Sequence, residues 1–272
     1  MNRVGLLAVP QPYDFARSLD RFTFWGVDRA NVWHDGGLHR VVAGREVRIT
    51  AASGGVQVEP LDEVVEPVVR KLLGLELELD PFYAFAQGDP VLAKAVRLLP
   101  GFRPPLAPDP FEALVSSITA QQVSLHAAFA VRSRLIERFG EPAAHAVAFP
   151  ARERIALATE DELTSLGFSR RKAEYVLGLA RADFDFEKLA QLPDEEVKAR
   201  LTSLRGLGEW SADWFLARHL ARPEAWPAGD LGLRKAVLAF YPGVTDVRAA
   251  GVRFQPFQNL SAHYLLAALR YR

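Results

Sequence analysis

The chain contains no cysteine. That excludes a disulfide framework, a thiolate zinc site and a Cys-ligated iron–sulfur cluster. It also has no net charge, because 33 Lys and Arg balance 33 Asp and Glu over 272 residues. Bulk electrostatics therefore favours neither nucleic acid nor membrane. Long apolar runs are missing as well. The longest stretch free of Asp, Glu, Lys and Arg, Ala113 to Val131, is 19 residues long. Its Ser116, Ser117, Thr119, Gln121, Gln122, Ser124 and His126 rule out a bilayer span. The apolar run at the amino terminus is too short for a signal peptide. The six histidines (His34, His39, His126, His145, His219, His263) have no metal-ligand spacing, so zinc is not expected. Repeats and low-complexity tracts are absent. The sequence predicts a soluble, cytoplasmic protein.

What is present is the composition of a globular chain, 49% hydrophobic and 24% charged. Its length fits one large domain or two smaller ones. Residues 1–90 hold 9 basic against 13 acidic side chains, and residues 91–272 hold 24 against 20. An acidic front and a basic back leave room for an anionic ligand on the back, although so small an imbalance is equally a solvated surface.

The first sixty residues read as strands and turns. Val4–Val9, Phe22–Val32, Leu38–Val42, Glu46–Thr50 and Gly55–Glu59 are the strand candidates, with Asp35-Gly36-Gly37, Gly44 and Ser53-Gly54-Gly55 as turns. Tyr13–Arg21 has helical spacing. After Asp62 and the helical run Val64–Leu73, every periodic segment from Pro81 onward is helical, punctuated by Pro and Gly. The fold class predicted is α+β, an antiparallel sheet with helices over residues 1–85 followed by an all-α domain over 86–272.

The sharpest chemical signal is Leu204-Arg205-Gly206-Leu207-Gly208-Glu209-Trp210-Ser211-Ala212 between two predicted helices. Two glycines free to take positive φ, with the free N–H groups of the next helix's first turn, would make a nest for one phosphate. Such a grip on a nucleic-acid backbone reads no sequence. Spacing alone fits a plain tight turn equally well. Downstream, Pro227-Ala228-Gly229-Asp230 precedes the helix that starts at Leu231. Asp230 stands where an N-cap stands, and capping alone accounts for it. It is also placed for chemistry beside a sugar.

This order of elements resembles the helix-hairpin-helix DNA glycosylases, and within them the 3-methyladenine DNA glycosylase II (AlkA-type) branch, over nearly the whole length. Pro12-Tyr13-Asp14, the run Pro110-Phe111-Glu112-Ala113-Leu114-Val115-Ser116-Ser117-Ile118, and Gln121-Gln122-Val123-Ser124 support the likeness. The resemblance implies a TBP-like amino-terminal half and two helical subdomains flanking an active-site cleft. It implies excision of alkylated bases such as 3-methyladenine from duplex DNA, by base flipping and hydrolysis of the N-glycosidic bond. Asp230 would be the catalytic carboxylate that stabilises an oxocarbenium-like sugar. Bifunctional relatives carry Lys two residues after the second hairpin glycine; Trp210 stands there, which implies no lyase activity.

The resemblance also places Trp210, and with less force Trp214, in a base pocket, where electron-rich rings attract a cationic base; core packing is the alternative for both. Leu231 and Leu266 stand at pocket positions where aromatics are possible, and Arg21 near where an apolar pocket residue might come from the amino-terminal half. Gln122 would be the wedge that fills the gap left by the flipped nucleotide. Gly206, Gly208, Glu209, Trp210, Ser211 and Arg234 would meet DNA phosphate. No cofactor is implied, beyond a monovalent cation on the carbonyls of Thr202, Leu204 and Leu207. The protein is expected to be monomeric and nucleoid-associated. A non-catalytic lesion-binding protein and an oxidised-base glycosylase are the alternatives.

Overall fold

The computed structural model describes residues 4–271. Five strands, β1 (Gly5–Ala8), β2 (Val32–His34), β3 (Gly37–Val42), β4 (Arg45–Ala52) and β5 (Gly55–Glu59), form one antiparallel sheet in the order β1-β5-β4-β3-β2. The tight turns are set by backbone sign. Asp35-Gly36 and Ala43-Gly44 each have positive φ at both positions, the handedness that two-residue hairpins need. Leu38 pairs with Ile49 and Ile49 with Val58, so one apolar row runs across three strands. Helices α1 (Phe15–Leu19) and α3 (Val65–Leu72) close a core over it with Leu7, Val47, Val56 and Leu72.

The expected strand Phe22–Val32 does not form. Thr23 and Phe24 donate instead to the Asp20 carbonyl, making a short helix α2 (Arg21–Phe24). The chain then loops through buried Asp28, whose carboxylate accepts from Ala30 N–H, Asn31 and Arg132. Strand propensity at Phe22–Trp25 loses to these polar contacts. Only Val32–His34 joins the sheet.

The remaining helices build two further cores. Helices α4 (Leu79–Ala86) and α5 (Pro90–Leu98) pack with the carboxy-terminal helices α13 (Leu231–Phe240), α14 (Val247–Ala250) and α15 (Gln258–Ala268) around Phe82, Phe254 and Tyr264. Between them in sequence, α6 (Pro110–Ala120), α7 (Leu125–Phe139), α8 (Arg152–Ala156), α9 (Glu160–Ser165), α10 (Arg170–Arg181), α11 (Asp194–Thr202) and α12 (Glu209–Arg218) enclose Leu114, Ile118, Val176 and Phe215. Helix α4 thus shares a core with the end of the chain, although all but its last residue precede residue 86. Leu266 packs against both helical cores and marks their seam.

A buried ionic network ties the sheet to the helices. Arg40 on β3 and Arg132 on α7 both reach Glu112 on α6, and Arg132 also pairs with Asp28. Burial opposes the charge on Glu112, but Arg40 first and then Arg132 outweigh it and hold the carboxyl below its ordinary range. No described helix is long and apolar enough to cross a membrane.

Candidate active site

Helices α11 and α12 are joined by residues 203–208, the turn expected from the two glycines. Gly206 has φ +95, and a Cβ there would lie 2.2 Å from the Tyr175 ring. Both conformation and close approach demand glycine. Gly208 differs from expectation, because its backbone is extended (φ −113, ψ −177) as the N-cap of α12, and a Cβ would meet nothing within 4 Å. Ser211 and Ala212 N–H return to the Gly208 carbonyl. The amides of Gly208, Glu209 and Trp210 remain as the orphan donors of a helix start. No side chain caps this helix start.

Of the other proposed phosphate contacts, Ser211 is buried and its hydroxyl accepts from Ser117 (2.9 Å), so it braces α12 against α6. Gln121, adjacent to the proposed wedge, donates to the Gly206 carbonyl (2.8 Å) and holds the turn. Glu209 forms an exposed pair with Arg248 (2.7 Å). Among the described residues, no hydrogen bond or ion pair joins the Arg234 and Asp230 side chains. Arg234 lines an open cavity of about 250 Å³ with Gly229, Thr245 and Arg248. Among the carbonyls considered for a cation, that of Leu204 accepts the Leu207 amide (3.1 Å).

Asp230 lies at the head of α13, where the chain crosses from one helical core to the other. Its Oδ1 accepts from Leu233 N–H (2.8 Å), so it is an N-cap. Its Oδ2 accepts from two indoles, Trp210 Nε1 and Trp214 Nε1, each at 3.0 Å. Spacing four apart on α12 puts both rings on one face, and that face presents N–H groups to the carboxylate. Capping and site geometry coexist in one residue. The result is a negative charge fixed in position by three donors from two helices.

The surroundings of this carboxylate depart from an aromatic box. Leu231 is 73% exposed at the mouth, while Leu266 packs beneath the first turn of α13, close to Gly232. Trp214 is buried, and the Arg218 guanidinium carbon lies 3.5 Å from its ring centre. His263 packs on the same indole at 5.5 Å. Burial, then the charges of Arg218 and Arg21, holds its imidazole well below the ordinary histidine range, hence neutral. Trp226 donates to the Val247 carbonyl and serves the fold. Arg218 was not legible as a site residue; it ends α12 one turn after Trp214, and only the fold brings Arg21 beside it.

Gln122 sits in the short turn between α6 and α7 with φ +54 and an exposed side chain. Val123 (46%) and Leu125 (42%) are exposed beside it, an apolar rim at the tip that the sequence reading did not single out.

Known proteins share this architecture. The family described as HhH-GPD superfamily base excision DNA repair protein matches residues 115–246, which span the tip, the hairpin and Asp230. The chain is 29% identical over 221 residues to a DNA-3-methyladenine glycosylase of Bacillus subtilis, covering 76% of this chain and 73% of that one. The solved structure of a 3-methyladenine DNA-glycosylase from Archaeoglobus fulgidus superposes with a TM-score of 0.87 at 27% identity, over 98% of both chains. An 8-oxoguanine glycosylase/lyase from Clostridium acetobutylicum, solved with double-stranded DNA, shares the fold at a TM-score of 0.79 and 20% identity, over 93% of this chain and 91% of that one.

Proposed function

The chain belongs to the helix-hairpin-helix superfamily of base excision DNA repair proteins, and we propose that it is a monofunctional DNA glycosylase that removes alkylated bases from duplex DNA. The observation that carries this reading is the Asp230 carboxylate, held by two indole N–H groups and its own helix at the seam of two helical cores. A fixed negative charge is what an oxocarbenium-like sugar needs. The hairpin amides hold a backbone phosphate, and the Gln122 tip fills the stack vacated by the flipped nucleotide. As the C1′–N bond breaks, its electron pair leaves with the base and positive charge grows on the sugar beside Asp230. Water then adds at C1′ and passes its proton to the Asp230 carboxylate. A ring already cationic from alkylation leaves as a neutral base and needs no acid.

Trp210 occupies the position of the lyase lysine and donates to Asp230, so no amine is available for a Schiff base there. This favours hydrolysis over the oxidised-base glycosylase/lyase reading. The ordered carboxylate argues against a merely lesion-binding scaffold, because a helix cap alone does not call for two indole donors on the same acid. The working state proposed is a cytoplasmic monomer with no required cofactor, in which the carbonyls of Thr202, Leu204 and Leu207 could share a monovalent cation.

The test is release of free bases from methylated duplex DNA, with products separated chromatographically, alongside borohydride trapping. Release of 3-methyladenine without a trapped adduct is the expected result. A trapped adduct, or no release with lesion binding intact, would replace this reading by one of the other two.

A further inference from the structure

Far from Asp230 in sequence, three side chains with metal-ligating atoms converge on the sheet. On β3, His39 alternates with the core residue Leu38, so it lies on the face turned away from that core. Glu46 on β4 shares this face, because it stands opposite Val41 while His39 stands opposite Arg48. The third residue, His145, arrives from beyond α7. Pro142 pairs with Val147, and Ala143 N–H donates to the Ala146 carbonyl (2.8 Å), so residues 142–147 make a small hairpin with His145 in its turn. Val147 N–H in turn donates to the Arg29 carbonyl (2.8 Å), which docks this hairpin on the loop before β2.

Glu46 uses its two oxygens differently. Oε2 accepts from the amides of His145 (2.7 Å) and Ala146 (3.0 Å). Oε1 lies 2.8 Å from His39 Nδ1 and 2.8 Å from His145 Nδ1. Partial burial opposes the charge on Glu46, but these amides and then the imidazoles outweigh it and hold the carboxyl down to about 2. The carboxylate is therefore ionised and fixed in orientation by backbone donors, as a metal-ligating carboxylate is. One donor atom from each of the three residues lies within 4.8 Å of the other two. The His39 and Glu46 side chains are 5% and 15% exposed, and that of His145 is 38% exposed, so the cluster is shut on the sheet side and open on the hairpin side. His34 of β2 stacks on His145 with ring centres 4.3 Å apart and steadies that ring. Among the described residues, buried His39 Nε2 has no hydrogen-bond partner. Sharing one carboxylate oxygen with a second imidazole leaves that ring only half satisfied, a cost that a metal bond would offset.

We propose that His39, Glu46 and His145 bind one divalent ion of the zinc type, which clips the 142–147 hairpin to the sheet. Two imidazole nitrogens and one carboxylate suit zinc and its borderline neighbours, whereas magnesium and calcium take oxygen ligands. Ligands of a tetrahedral ion bound at about 2.0–2.1 Å stand about 3.3 Å apart, so each 2.8 Å contact must open by about 0.5 Å. Half-exposed His145 has the room to move by that much, and the fourth position falls to water on the open side. The ligands are separated by 7 and 99 residues, which is why histidine spacing along the chain predicts no such site. The ion would also complete a grip on β3 from both faces. Arg40 reaches Glu112 on α6 from the core face, and its neighbour His39 would hold the segment after α7 from the other.

Tag-free, metal-stripped protein titrated with Zn²⁺ alone should take up one equivalent. At a hundredfold excess over Kd its Tm should rise by about 5–10 °C. Co²⁺ in place of Zn²⁺ should give the visible absorption of a four-coordinate ion. His145→Ala and Glu46→Gln should each weaken uptake at least tenfold and abolish the thermal gain. His145 is an exposed turn residue, so its variant should melt close to the unmodified protein when both are metal-free, which separates lost binding from lost folding. His126→Ala, outside the cluster, should leave uptake and thermal gain unchanged. Amide hydrogen exchange over residues 142–147 should slow when Zn²⁺ is added. No uptake, or uptake indifferent to His145 and Glu46, would overturn the site, and uptake without slower exchange would overturn the clip. Base release does not enter this test, so the site stands or falls apart from the glycosylase reading.

Discussion

Replacing Asp230 by Asn is the most discriminating perturbation, because the structure fixes what the new amide would meet. If the Asn oxygen keeps the cap on Leu233 N–H, its NH₂ group faces the indole N–H of Trp210 and Trp214, donor against donor. If the amide flips, its oxygen satisfies the indoles and the cap is lost. The second arrangement costs less, about 1 kcal/mol for a helix cap. In a chain of this size that lowers Tm by about 2–4 °C, so the variant stays folded. The catalytic loss is larger, since removing a positioned electrostatic partner of the transition state costs about 100- to 1,000-fold in rate, or roughly 2.7–4 kcal/mol. Single-turnover base release, lesion-DNA binding by anisotropy and a melting curve, measured together, separate the two effects. A small drop in Tm, near-normal binding and release slowed at least 100-fold are expected. Near wild-type release would refute the role of Asp230, and release lost only in proportion to unfolded protein would reduce it to a cap.

The two hairpin glycines should behave differently. Gly206→Ala should destabilise the fold through its positive φ and the Tyr175 ring, read in the melting curve. Gly208→Ala should melt normally yet weaken binding to damaged and undamaged duplex alike, because its Cβ enters the space of the phosphate; unchanged affinity would return the hairpin to a mere turn. Glu112→Ala should cost about 3–5 kcal/mol in chemical denaturation by taking from Arg40 its carboxylate and leaving Arg132 only Asp28. The folded pKa of Glu112 lies below its ordinary 4.5, so this contribution is complete above pH 4.5 and is lost as pH falls through the folded value. Wild type and variant should therefore converge in stability toward strongly acid pH. Gln122→Ala should slow release most for a lesion opposite its proper partner and least opposite a mismatch, since unstacking costs a few kcal/mol and less when pairing is already weak; equal rates in both contexts would place Gln122 outside the stack.

What the sequence made legible was local. Gly206, Asp230 and the Trp210–Trp214 pair are read from spacings within single helices and turns, where backbone sign, capping and periodicity act over a few residues. Strand propensity misled at Phe22–Val32 because Asp28 is claimed by Arg132, 104 positions away. Still greater separations in sequence hid Arg21 near Arg218 and His145 beside His39. No periodicity links such residues; only closure of the three cores does. Gln121 illustrates the limit at one position: two adjacent glutamines look alike in sequence, yet one bonds the Gly206 carbonyl and the other is left outward at φ +54.

The placement of Asp230 couples the docking of the two helical cores to the chemistry proposed for it. Its cap starts α13, which belongs to one helical core, while its indole partners ride on α12, which belongs to the other. The carboxylate position is therefore defined only when both cores are folded and docked, with Leu266 packed across the seam. An acid held on a loop would keep its charge but not its location. Electrostatic stabilisation of a developing cation falls off with misplacement, and preorganisation is where most of its value lies. The sheet contributes from a distance, because Arg40 and Arg132 lock Glu112 and so fix α6. Helix α6 carries Ser117, braced against α12, and leads into Gln121, which holds the hairpin turn. Polar contacts thus link strand β3 through α6 to the hairpin proposed to hold the DNA and to the helix whose indoles donate to Asp230.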